Sequence, residues 1–198
     1  NSDELKIIIE DEKLDYDPIE GNLNIVYEDE HSLVVSKDSN ITVNSKNQTS
    51  LCNYIAYYFK KSGQEAKIRL VNRLDMNTSG LMLIAKNKYA HAFYQKQLEE
   101  NIMKKKYIAV VDGRVDIDFL YENKFSYNKK NKNYEPSNSG KICRTYFKSM
   151  SINEDFSIIE CEIFPLTKYA VACEQQQEIP DKTRMTPVMM SIITNGSR

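Results

Sequence analysis

This chain has no tryptophan, and histidine occurs only twice, at His31 and His91. Two imidazoles so far apart argue against a zinc centre and leave no histidine beside any candidate nucleophile. Its four cysteines, Cys52, Cys143, Cys161 and Cys173, show no C-x-x-C spacing. The expectation is therefore reduced thiols in a cytoplasmic protein without a zinc site. No apolar run approaches the length of a membrane span, and no secretory leader pattern is visible. Charge of one sign is also lacking, with a net charge of −1 over 198 residues.

That near-zero charge is unevenly distributed. Residues 1–31 carry eleven Asp and Glu against Lys6 and Lys13, whereas the remainder holds 25 basic and 17 acidic residues. An acidic leading segment thus precedes a basic body. The densest basic clusters are Lys104-Lys105-Lys106 and the stretch Lys124–Lys132. Either cluster alone reads as a solvated face; a nucleic-acid partner needs further support.

The most informative stretch is Val71–Lys86, V-N-R-L-D-M-N-T-S-G-L-M-L-I-A-K. Leu81–Ala85 is short, uncharged and preceded by a glycine, which predicts a buried strand. Asp75 then lies on the loop feeding a core strand, a rigid seat for a functional carboxylate. An isolated Asp at such a place also reads as a turn cap. The full string resembles the R-L-D-x-x-T-S-G motif of the RluA-type RNA pseudouridine synthases, in which the aspartate is the nucleophile.

Two more segments carry the resemblance. Tyr27-Glu28-Asp29-Glu30 and the strand ending at Lys37 are similar to the family's first motif, although Asp38-Ser39 stands where proline and a small residue are usual. Lys105-Lys106-Tyr107-Ile108-Ala109 is similar to its K-x-Y-x-A strand. The resemblance implies Asp75 as catalytic nucleophile and Arg73, Tyr107, Lys105 and Lys106 as substrate contacts. Arg73 reads equally as a structural ion-pair partner, and Tyr107 also suits a core. Asn72 stands where many members have histidine, so no catalytic role is expected of it. Thr78, Ser79 and Gly80 are expected to shape the turn, Gly80 with a positive φ.

Periodicity predicts helices over Thr49–Lys61, capped by Thr49 or Ser50, and over Asn87–Asn101, with a core stripe of Ala90, Phe93, Tyr94 and Leu98. Strands are expected near Ile7–Ile9, Ile25–Tyr27, Leu33–Lys37, Lys67–Val71, Lys105–Gly113, Lys141–Ser149 and Phe156–Phe164. Tyr121–Ser139, polar and poor in aliphatics, reads as a long exposed loop. The fold class is α+β, a mixed and largely antiparallel sheet with flanking helices and an atypical or incomplete C-terminal part. The expected domains are residues 1–22, the remnant of an S4-like domain plus linker; 23–164, the catalytic domain; and 165–198, an atypical tail.

The tail departs from the family. Pro165-Leu166-Thr167-Lys168-Tyr169-Ala170 stands in place of G-R-T-H-Q-I-R, whose last arginine pairs with the catalytic aspartate. Triplets read from the third base of each codon permit T-H-Q-I-R over Pro165–Ala170 and G-D-D-E-Y over Pro187–Ile192. A frame change near Phe164 is the expectation, which the DNA would decide. Arg144 is a conceivable substitute for the arginine. The resemblance implies an enzyme converting uridine to pseudouridine in structured ribosomal or transfer RNA without a cofactor; a monomer is expected, and the missing arginine is expected to impair this exact chain. The alternatives are a degenerate RNA-binding protein that lacks the arginine motif, and a hydrolase using Asp75.

Overall fold

The computed structural model describes residues 13–164 other than 46, 65 and 132, together with the backbone of 185–195. The chain runs β1 (Asn24–Glu28), β2 (Ser32–Lys37), α1 (Leu51–Lys61), β3 (Arg69–Leu70), β4 (Ser79–Ala85), α2 (Lys88–Glu99) and β5 (Met103–Asp112). Then come β6 (Asp118–Asn128), β7 (Asn133–Pro136), β8 (Lys141–Ile152), β9 (Phe156–Phe164) and β10 (Met185–Asn195). These ten strands make one sheet in the order β1-β2-β4-β10-β5-β9-β8-β6-β7, with β3 pairing β4 beside it. Only the β10–β4 contact is parallel among the pairings described. The expected α+β architecture is the one observed.

Strand parity sorts the residues onto two faces. Leu33, Val35, Met82, Ile84, Tyr107, Ala109, Ile159 and Cys161 point to one face and form the main core with Leu51, Ile55, Ala56 and Phe59 of α1. On the other face a smaller cluster, with Leu83, Ala85, Ala90, Leu98 and Met103, lies under α2. β4 is thus buried on both sides, which is why its stretch Leu81–Ala85 is uniformly apolar.

Both helices start as their sequences predict. The backbone N–H and hydroxyl of Ser50 donate to Asn53 Oδ1 at 2.9 and 2.7 Å, and Asn87 Oδ1 accepts the Ala90 N–H at 2.8 Å. Past α1, Gly63 takes φ +71°, a conformation suited to a residue without Cβ. Phe93 corrects the expected stripe on α2: it is 55% exposed, while Ala90 and Leu98 are buried.

Three other expectations change. Tyr121–Ser139 is not a loop. It contributes most of β6 and all of β7, which pair from Phe125↔Pro136 to Asn128↔Asn133. Aromatics at alternate positions (Phe119, Tyr121, Phe125) supply the inward face, so few aliphatics are needed. Residues 13–22, within the segment expected as remnant plus linker, have no regular structure, but they bind the body. Ile68 N–H donates to Asp15 Oδ1 at 3.0 Å, Asn53 Nδ2 to the Asp17 carbonyl at 2.9 Å, and Ile19 N–H to the Asn53 carbonyl at 3.2 Å. Leu14, Tyr16 and Leu23 pack on the main core. The third change is β10, in a tail whose pattern suggests no sheet element. Its ladder with β5 slips between Thr186 and Met190, across Pro187, which has no N–H to contribute. The expected strand at Ile7–Ile9 and the segment 165–184 lie outside the described residues.

Candidate active site

The loop between β3 and β4 carries Asp75. It begins where Asn72, only 5% exposed, hands the chain to exposed Arg73. Leu74 turns inward into the main core at 5% exposure, and Asp75 turns outward again. Arg73 and Asp75 are thus both exposed on either side of a buried anchor. A turn follows, closed by Thr78 N–H donating to the Asp75 carbonyl at 3.1 Å. Ser79 and Gly80 open β4 rather than forming the turn, and Gly80 has φ +134°. That value favours glycine, as expected.

Below this loop lies Lys37, the last residue of β2 and 1% exposed. Its Nζ donates to the carbonyls of Asp38, Ile41 and Met76 at 2.8, 2.9 and 3.1 Å. Three acceptors match the three protons of an ammonium, so the buried charge is fully hydrogen-bonded. Burial lowers the Lys37 pKa, opposed by the negative charges of Asp38 and then Asp75. Lys37 thus grips the carbonyl next to Asp75 and supplies positive charge beneath it. The sequence marks this lysine only as the end of a strand; its burial and its grip on Met76 are tertiary facts.

Register places Tyr107 on the same side. Lys37 pairs with Gly80, Gly80 with Ser191, Ser191 with Tyr107 and Tyr107 with Cys161. Three strand spacings, roughly 14 Å, separate the Lys37 and Tyr107 backbones along this row. Tyr107 is 3% exposed and belongs to the main core.

The basic cluster divides by parity. Lys105 shares the face of Tyr107. Lys106 points to the opposite face and pairs with Glu160 at 2.9 Å, and Lys104 pairs there with Glu162 at 3.0 Å. The structure therefore does not bring Lys106 to Asp75. Arg144 is likewise on the opposite face, bonded through Nε to Glu122, and does not replace the arginine expected near Asp75. The opposite face also carries an open hollow of about 840 Å³ lined by Leu120, Ile142, Arg144, Tyr146 and Phe164 among others.

The acidic turn of the first motif has a structural task. Asp29 Oδ1 accepts the N–H groups of His31 and Ser32 at 2.8 and 2.6 Å, which turns β1 into β2. Those bonds, led by the one from His31, lower the Asp29 pKa. Glu28 accepts from Lys86 Nζ at 2.9 Å and from the Tyr58 hydroxyl, joining β1 to the end of β4 and to α1. Burial raises the Glu28 pKa, but these bonds outweigh it and the net shift is downward.

Comparison with known proteins adds an independent line. The family described as RNA pseudouridylate synthase matches residues 31–167. An uncharacterized RNA pseudouridine synthase of Bacillus subtilis, YhcT, is 34% identical over 158 residues, covering 74% of this chain and 51% of that protein. Ribosomal large subunit pseudouridine synthase D of Zymomonas mobilis is 29% identical, covering 74% of this chain and 50% of its own length. The chain spans about half the length of these curated relatives. In fold it is similar to human RNA pseudouridylate synthase domain containing 1, with a TM-score of 0.63 at 17% identity over 89% of this chain and 79% of that one. The matched span includes the Asp75 loop, the Lys37 grip beneath it and the Tyr107 strand, and on this ground the chain belongs to the RluA-type RNA pseudouridine synthase family.

Proposed function

We propose that this chain isomerises uridine to pseudouridine in structured RNA, ribosomal RNA first among the candidates and transfer RNA second, with Asp75 as its nucleophile. The reaction breaks the bond from ribose C1′ to uracil N1 and joins C1′ to C5. N1 gains a proton and C5 loses one, so no electrons leave the substrate. The protein must supply a carboxylate at the sugar, keep the detached base, and hold the uridine out of its stack.

One observation supports this reading most: Asp75 is exposed while its neighbours Leu74 and the Met76 carbonyl are fixed in the interior. A carboxylate held that way meets substrate without first reorganising its loop. On this reading Arg73 contacts a phosphate or fills the space left by the everted base, Tyr107 lies beneath the base, and Lys105 draws in the backbone. A monomer in the cytoplasm is the working assembly. RNA labelled with tritium at uracil C5 tests the proposal, since isomerisation releases the label. Weak release by the wild-type chain and none by Asp75→Asn is the expected result. RNA binding without release from either favours the degenerate, non-catalytic alternative.

The tail belongs to the same proposal. The family match runs to residue 167, just beyond Phe164, in support of a frame change there. Codons in the gene that cannot encode T-H-Q-I-R in the shifted frame would reject it.

A further inference from the structure

The chain leaves the sheet for the Asp75 loop at Asn72. Before that point the pairing is ordinary. β3 pairs with Ile84 and Ala85 of β4, and the Val71 N–H donates to the Leu83 carbonyl at 2.9 Å. After Val71 the main chain turns away and the Asn72 side chain continues the ladder in its place. Asn72 Oδ1 accepts the Leu83 N–H at 2.8 Å, and Nδ2 donates to the Leu81 carbonyl at 3.0 Å. Farther along the same edge, β10 meets β4 at Ser79 and Gly80. The carboxamide sits between the two strands that share this edge and satisfies backbone groups that neither of them reaches.

We propose that Asn72 is a positioning residue for the Asp75 carboxylate, an inference that rests on the isomerase reading of the site. A primary amide offers one donor and one acceptor in a fixed plane, as a peptide unit does. Two bonds from that plane to β4 set both where the loop departs and in which direction. β4 itself begins at Ser79, so the six residues 73–78 are pinned at both ends to one doubly buried strand. Leu74 and the Lys37 bond to Met76 fix the interior of that span. Without the amide, the Leu83 N–H and Leu81 carbonyl lose their partner and the departure point is free to swing. A displacement of about 1 Å at a reacting group costs on the order of a hundredfold in rate. Aspartate keeps the acceptor for Leu83 but turns a second oxygen on the Leu81 carbonyl; when protonated it offers a donor again.

Asn72→Ala and Asn72→Asp in the full chain, with Asp75→Asn as control, test this through two readouts. The first is amide hydrogen exchange at Leu83, at Thr78 (which reports closure of the Asp75 turn) and at Ala109 in β5. Asn72→Ala is expected to speed exchange at Leu83 and Thr78 by about tenfold or more and to leave Ala109 unchanged. The second is single-turnover tritium release at a temperature where the variant is folded. A fall of about ten- to a hundredfold is expected with unchanged RNA affinity, the signature of lost alignment rather than lost binding. Asn72→Asp should recover Thr78 protection as its carboxyl protonates, and Asn72→Ala should not. If Asn72→Ala does not fold, the acid dependence of Thr78 protection in Asn72→Asp decides alone.

Faster exchange at Leu83 with Thr78 unaffected would overturn the inference, because Asn72 would then hold only the strand. Full release by a folded Asn72→Ala would overturn it too. If the wild type releases no tritium, the isomerase reading fails, and the exchange data still decide whether Asn72 tethers the loop.

Discussion

The two halves of the sheet are built differently. In β2 and β4 the strands lie between α1 and α2, and Met82 and Ile84 on one face and Ala85 on the other are all 0% exposed. In β9, β8 and β6 one face packs on the core while the other carries Lys106–Glu160, Lys104–Glu162 and Arg144–Glu122 pairs beside exposed Leu120 and Ile142. The Asp75 loop grows from the doubly covered half. Rigidity at the site follows from burial on two faces, whereas on the open half the Lys106–Glu160 and Arg144–Glu122 pairs are part-exposed and Glu162 is buried against Lys104.

Asp75→Asn is the sharpest way to separate site from scaffold. Release should fall by about a thousandfold or more, with the melting temperature nearly unchanged, because the side chain is exposed. Unchanged turnover would remove Asp75 from the chemistry. Ile84→Ala should then show the stability contrast: about 3 kcal/mol lost in urea unfolding from the covered half. An equal loss from an exposed position of the open half, such as Leu120→Ala, would erase the distinction. Lys37→Met comes next, at roughly 2 kcal/mol, since three carbonyls lose their donor in the interior. A stability equal to wild type would mean that those carbonyls find other partners.

Acid should act at the β1–β2 end of the sheet through Glu28 and Asp29. Both have folded pKa values below their unfolded ones, so their contribution is complete above the ordinary carboxylate pKa and is lost as pH falls through the lowered values. Melting temperature should drop below about pH 4.5, and less steeply in Glu28→Gln. The smallest effect belongs to the open half. Lys106→Ala should change stability by no more than about 1 kcal/mol and leave RNA affinity as it was, while Lys105→Ala weakens RNA binding. Equal RNA effects from both lysines would contradict the division of the cluster by strand parity.

The same contrast explains what was legible in the sequence. A strand buried on both faces has one composition from end to end, so Leu81–Ala85 announces β4 and with it the rigid seat of Asp75. A strand open on one face near the sheet edge alternates aromatics with Asn, Lys and Glu, and β6 therefore resembles a loop. The helix caps Ser50 and Asn87 are local and were readable. Phe93 was not, because helical spacing alone cannot say how wide the buried face of α2 is. Asp75 was legible as a motif. The roles of Lys37 and Asn72 were not, since each depends on backbone groups from distant elements: Met76 for one, and Leu81 and Leu83 for the other.

β10 has a consequence for how the molecule is made. It lies between β4 and β5, yet it is synthesised after both. On the ribosome, the facing edges of β4 and β5 must wait without the strand that will join them, and an unfilled edge invites pairing with other nascent chains. The seat itself is filled by main-chain bonds, and their register slips across Pro187. Yield of soluble protein during translation should therefore depend on how quickly this segment emerges and docks.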